Sequence, residues 1–192
     1  RVAATLGLAY LDTGAMYRAA AWWCEREDVD LADEAAVAEA VAAMPLHMGL
    51  DPDRPTFTVD GADVSTAIRD PHIATIVSKV ATNLEVRAEL ARRQREIIRF
   101  EATGHVGSFS EGAGIVAEGR DITTVIAPDA DARLLLTASE EARLARRAGD
   151  LETAGKQVDA AALRDQVVRR DRDDSTVSQF LTAPEGVTLV DT

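Results

Sequence analysis

Ile115-Val116-Ala117-Glu118-Gly119-Arg120-Asp121-Ile122-Thr123-Thr124-Val125, with Pro128-Asp129-Ala130-Asp131-Ala132-Arg133-Leu134-Leu135-Leu136-Thr137-Ala138-Ser139 behind it, decides how the rest of the chain is read. A short apolar run that stops at Gly-Arg-Asp predicts a buried parallel strand ending in a loop, and the second apolar run ends at a helix start. Together they make one α/β unit. Ligands of open α/β sheets sit beyond the carboxyl ends of the strands, so Arg120 and Asp121 are carried to the ligand side. The expected guest has an anionic part and a polar part.

Upstream, Leu8-Ala9-Tyr10-Leu11 reads as a short strand and Asp12-Thr13-Gly14 as a turn launching a helix from Ala15 to about Glu27. Met16, Ala19, Ala20 and Trp23 form its apolar stripe and leave Arg18 off it. Thr13 and Arg18 then lie near a helix N-terminus, where backbone N–H groups favour anions, although a capping Asp or Thr beside a solvated arginine has the same pattern. A helix from Asp33 to Ala43 follows. Leu46–Leu50, Thr56–Val59 and Ala62–Val64 predict a small three-stranded antiparallel sheet, which fits either a flap closing over a ligand or a purely structural insertion. Asp70-Pro71 opens a helix carrying Ser78, and a longer one runs from about Leu84 to Glu101 with Arg87, Arg92, Arg93, Arg95 and Arg99 on it. Most of those charges read as a solvated face. Thr103 to Gly114 reads as a flexible glycine-rich loop.

Downstream, Ser139 caps a helix bearing Arg143, Arg146 and Arg147, a polar loop is expected from Gly149 to Val158, and Asp159 opens another helix. Helix, loop and arginine-rich helix suggest a mobile lid, though a helical hairpin has the same outline. The start, Arg1 to Gly7, resembles the last turns of a helix stopped by glycine, and Val187 to Thr192 resembles a strand with one face uncovered. Both ends are therefore expected to lack a neighbour.

Composition narrows the functional classes. Among 192 residues, 33 acidic against 21 basic side chains give a net charge of -12, which argues against a nucleic-acid binder. An anionic ligand must be met by a local cluster of arginines. One cysteine, Cys24, excludes an internal disulfide. No run approaches the roughly 18 apolar residues of a membrane span, so a soluble, cytoplasmic protein is expected, and a monomer, since no apolar stripe is left over. His47, His72 and His105 are scattered and suggest no metal site. What recurs is arginine near helix or strand ends, at 18, 120, 146, 147 and 170. Planar guanidinium forks bind phosphate oxygens, and several together offset the charge of a phosphoryl group in transfer.

Asp12-Thr13-Gly14-Ala15-Met16-Tyr17-Arg18, Val64-Ser65-Thr66-Ala67-Ile68-Arg69, Glu118-Gly119-Arg120-Asp121 with Thr124-Val125, Pro128-Asp129-Ala130 and Arg170-Asp171-Arg172-Asp173-Asp174-Ser175 resemble the bacterial cytidylate kinase family, in order and spacing, over essentially the whole chain. The resemblance implies an α/β, parallel-sheet P-loop NTPase core of the nucleoside monophosphate kinase kind, at 1–45 and 104–192. It also implies a helical lid at about 146–178 and an acceptor-binding insertion at 46–103. It implies phosphoryl transfer from ATP, with magnesium, to CMP or dCMP. Ser78, Arg87 and Asp121 would contact cytosine; Arg18 and Arg120 the acceptor phosphate; Arg170 and Asp174 the sugar; Thr13 would sit beside that nucleotide. Arg146 and Arg147 fall in the lid, on the donor side, and with Arg120 would carry the catalytic charge. No protein metal ligand is implied.

Three positions depart from the family. The Gly-x-x-x-x-Gly-Lys-Ser/Thr phosphate loop does not occur in the 192 residues, so the first central strand and its loop are expected to be missing, leaving a gap in the sheet and this stretch alone inactive. Thr176-Val177 stands where an arginine commonly follows Asp-Ser, and Thr123 where a glycine is usual. Two alternatives remain open from sequence: a non-catalytic nucleotide-binding module, and a related kinase with a different acceptor.

Overall fold

A computed structural model of the chain describes residues 1–153, 164 and 182–192. Helix α1 (Val2–Leu6) ends at Gly7, whose φ of 68° is the left-handed conformation that closes a helix. Strand β1 (Ala9–Asp12) leads directly into α2 (Thr13–Arg26). The helix begins two residues before the expected Ala15, because the Asp12 carboxylate accepts from Ala15 N–H and makes Asp12 the cap. Helix α3 (Glu34–Ala43) is capped in the same way by Asp33.

Strands β2 (Leu46–Met48), β3 (Phe57–Val59) and β4 (Ala62–Asp63) form the small antiparallel sheet, with Met48 opposite Phe57 and Val59 opposite Ala62. A 3₁₀ turn at Ala67–Arg69, absent from the sequence expectation, precedes α4 (Pro71–Ala81) and α5 (Leu84–Thr103). Phe57 and Val59 enter the same core as Met16, Val41, Val77 and Leu90, so the inserted sheet is anchored from the inside by α2 through α5. Truncating a side chain such as Leu11 or Phe57, both at most 1% exposed, costs about 2–5 kcal/mol. Cys24 belongs to this core, and burial pushes its thiol up to about 11, which leaves it unreactive.

The remaining strands run parallel in two pairs. Strand β5 (Ile115–Glu118) lies against β1, from Ala9 opposite Ile115 to Asp12 opposite Glu118. Strand β6 (Leu134–Thr137) lies against β7 (Thr188–Asp191). Among the described residues no strand joins the two pairs. Strand β5, expected to be buried, is only half-covered, because its edge away from β1 faces a cavity rather than another strand. Leu134 and Leu136 on β6 and Leu189 on β7 are exposed. Helix α6 (Glu140–Thr153) passes through Gly149, where a loop was expected. Glycine in a helix interior costs only about 1 kcal/mol and ends a helix when it turns left-handed, as Gly7 and Gly104 do. No helix among the described residues is long and apolar enough to cross a membrane.

Two charged anchors escaped the sequence pattern. Glu101 is buried, and its carboxylate accepts from Phe109 N–H, Ser110 N–H and the Ser110 hydroxyl, tying the glycine-rich loop to the end of α5. Arg93, read from sequence as part of a solvated face, donates to the carbonyls of Met44 and Ala42 at 2.8 Å and so closes the end of α3. Glu89 orients that arginine at 2.6 Å. Hydrogen bonds from Arg92 and then Arg93, opposed by partial burial, hold the Glu89 carboxyl down to about 2, against an ordinary value of 4.5. A carboxyl lowered by folding adds stability above its unfolded value, and that increment is lost as pH falls from 4.5 toward 2. Urea unfolding followed from neutral pH down through that window should give a flatter pH profile for Glu89→Gln than for the wild type; identical slopes contradict the assignment.

Candidate active site

The paired strands β1 and β5 end side by side, with Asp12 opposite Glu118, and the candidate residues follow from each end. Thr13 is 2% exposed, and its hydroxyl donates to the Glu118 carbonyl at 2.7 Å. A Cβ at Gly119 would overlap that hydroxyl and press on the Ile122 side chain at 3.1 Å. The glycine between Glu118 and Arg120 is therefore required by a close approach of two segments 105 residues apart, not by a left-handed φ. The exposed Glu118 carboxylate lies on the same face of the strand pair as the Tyr10 phenol. Burial first, then the charges of Glu118 and Asp12, raise that phenol well above its ordinary value and keep it neutral.

Arg18 stands in the second turn of α2. Its Nη2 donates to Asp12 Oδ2 at 2.9 Å, and its Nε is buried and meets no acceptor among the described residues. A buried donor without an acceptor calls for a partner, and a bound oxygen is one that would satisfy it. The solvated arginine of the alternative reading is thus ruled out: its side chain is 19% exposed and held in place.

Past Gly119 and Arg120 the chain folds into a short π turn over Ile122–Ile126, where sequence predicted only a loop. Asp121, 7% exposed, sits at its start. Its carboxylate pairs with Arg87 from the first turn of α5. Arg87 donates from Nη1 to the Ala81 carbonyl at the end of α4 and lies 5.8 Å over the Tyr17 ring. Asn83 makes this corner rigid by capping α5 and donating to the Glu34 carbonyl at 2.8 Å. Arg95 holds the π turn by donating to the Val125 carbonyl at 2.8 Å. Ser78 lies one turn before Ala81 on α4, and its own carbonyl anchors the Thr82 hydroxyl.

The structure therefore gathers Thr13, Arg18, Arg87 and Asp121 around the ends of β1 and β5, with Ser78 on the adjoining last turn of α4. Arg120 lines a cavity of about 420 Å³ between β5 and β6, together with Glu118, Gly119, Thr123 and Leu135. Arg146 is exposed on α6. Arg170 and Asp174 lie outside the described residues, as do Arg172, Thr176, Val177, the expected helix after Asp159 and the Arg147 side chain. A second hollow of about 560 Å³, lined by Met48, Leu50, Ile97, Phe100 and Phe109, shares no residue with the cluster. Sequence reasoning gave Asp12 only a capping role and Tyr17 and Gly119 none. The signal for Asp12 was present, since residues 12, 15 and 18 fall on successive turns of one helix face. Nothing local marked the contact of Tyr17 with Arg87.

A family model described as cytidylate kinase matches residues 1–192. The chain belongs to the cytidylate kinase family. Membership makes it an enzyme, a nucleotide-binding transferase of the nucleoside monophosphate kinase group. Among the relatives, the cytidylate kinase of Streptomyces avermitilis is 43% identical over 175 residues, 91% of this chain and 70% of its own. That of Nocardia farcinica is 45% identical over 194 residues, covering 100% of this chain and 78% of its own. That of Cutibacterium acnes is 44% identical, with 99% and 79% covered.

In this family member the Thr13–Glu118 contact carries a direct prediction. Gly119→Ala should lower stability by about 1–3 kcal/mol through overpacking, and Thr13→Ala in the same chain should restore part of the loss. Urea midpoints of the two single variants and the double variant decide it; simple additivity would show that the hydroxyl and the missing Cβ do not share that space.

Proposed function

We propose that the protein transfers a phosphoryl group from ATP, with magnesium, to CMP or dCMP. A phosphate oxygen of the acceptor forms the new bond to the γ-phosphorus while the bond to the β-bridging oxygen breaks, giving the nucleoside diphosphate and ADP. The observation that carries this reading is the joining of Arg87 to Asp121 beside the Asp12–Arg18 pair. One pair suits the edge of a base and the other a phosphate. The relatives named cytidylate kinase support the choice of base.

In this reading the Asp121 carboxylate accepts from the cytosine amino group, and Arg87 and Ser78 complete the base edge. Arg18 and Arg120 bind the acceptor phosphate, Thr13 lies beside it, and Arg170 and Asp174 hold the sugar. Positioning and charge neutralisation dominate phosphoryl transfer, so no side-chain base is assigned. Arg146 and Arg147 belong to the donor side.

Magnesium supplies further charge neutralisation on the transferred phosphates. Among the described residues no group of three His, Cys, Asp or Glu side chains gathers, and the sequence lacks the lysine-bearing phosphate loop. The chemistry of the described residues therefore supports this reading chiefly on the acceptor side. The separation of the β1–β5 pair from the β6–β7 pair supports reading the space between them as the place of a further strand.

The protein should phosphorylate CMP with ATP and discriminate against UMP and AMP in a coupled assay. Asp121→Ala should lower kcat/KM for CMP by roughly ten- to a hundredfold, the worth of a charged hydrogen bond, and narrow the preference over UMP. Equal turnover of CMP, UMP and AMP by the wild type would overturn the base assignments.

A further inference from the structure

Capping a helix needs one carboxylate oxygen, and Asp12 uses both. Its Oδ1 accepts from Ala15 N–H at 2.8 Å, which closes the start of α2, and its Oδ2 accepts from Arg18 Nη2 at 2.9 Å. The two side chains are 15% and 19% exposed, so this is a shielded, charge-assisted contact rather than a solvated surface pair. The neighbouring carboxylate, Glu118, is exposed, and the ion pair of Arg18 is with Asp12.

Gly14 shows that the arrangement needs room. Its φ is not left-handed, so its lack of a side chain is a matter of space. A Cβ there would lie 3.1 Å from Arg18 Nη1 and 3.2 Å from Asp12 Oδ1, closer than ordinary van der Waals contact with both partners. The glycine leaves the guanidinium free to lie back along the helix start onto the carboxylate. Held at Nη2, Arg18 keeps a buried Nε donor that meets no acceptor among the described residues.

We infer that Asp12 is the positioning residue for Arg18, fixing its guanidinium so that the remaining donors meet the phosphate of the acceptor nucleotide. The inference rests on the assignment of Arg18 to that phosphate. The physical gain is preorganisation: an arginine side chain fixed before the ligand arrives gives up less rotamer freedom on binding. The carboxylate lowers the net local charge, yet the alignment it imposes directs the fork.

Calorimetric titration of the protein with CMP and, separately, with cytidine tests this without requiring turnover. Asp12→Ser keeps a good capping oxygen for Ala15 N–H and is too short to reach Arg18. It should weaken CMP about tenfold, the loss of one oriented charged hydrogen bond, and leave cytidine binding unchanged. Asp12→Asn provides the same comparison if the serine variant does not fold. A CMP-to-cytidine ratio equal to that of the wild type in both variants, with only the unfolding midpoint moved, would reduce Asp12 to a cap and overturn the inference. Arg18→Ala separates the two levels. It should remove most of the preference for CMP over cytidine, and survival of that preference would overturn the assignment of Arg18 itself and this inference with it.

Discussion

A single hydrogen bond, from the Thr13 hydroxyl to the Glu118 carbonyl, sets the distance between the two segments that carry the site. The parallel pairing of β1 with β5 brings their carboxyl ends level, and this bond continues the pairing one step beyond the strands. Because Gly119 has no side chain, the two chains can close until that hydroxyl is buried. From there α2 departs on one side with Tyr17 and Arg18, and the π turn departs on the other with Asp121. Arg87 then connects the two, lying over Tyr17 and paired with Asp121. The site is thus a consequence of where two strands stop.

Its electrostatics bear on the apparent conflict between an acidic protein and the anionic ligand proposed for it. Two of the arginines assigned to the acceptor nucleotide are each paired with a carboxylate, Arg18 with Asp12 and Arg87 with Asp121. Pairing reduces the local positive charge, but it converts flexible cations into fixed donors, and fixed donors in a shielded place are worth more than mobile ones in water. In the proposed reading, affinity for the acceptor phosphate comes from alignment more than from a general positive field.

The sequence made some of this legible and hid the rest for identifiable reasons. Local signals worked where the cause was local: Asp33 at a helix start, Gly7 as a helix stop, Asp70-Pro71 as a start, and the alternation over Thr56–Val59 that marks β3. Thr13, Arg18, Arg87 and Asp121 were singled out, with the family resemblance supplying roles that spacing alone did not. Long-range partners were invisible. Glu101 looked like one more charge at the end of a charged helix, and only the folded loop shows it buried against Phe109 and Ser110. Arg93 looked solvated because its acceptors are backbone carbonyls some fifty residues earlier. Gly149 was misread because a glycine without a left-handed φ is only a weak helix breaker.

In the proposed reading, the start of α2, the junction of α4 and α5 and the segment after β5 hold one pyrimidine monophosphate together. A backbone amide NMR titration with CMP measures this directly. The perturbed amides should concentrate at residues 12–18, 78–87 and 118–122 and saturate with a common affinity. Perturbations centred instead on residues 46–50 and 97–109, around the separate hollow, would contradict it.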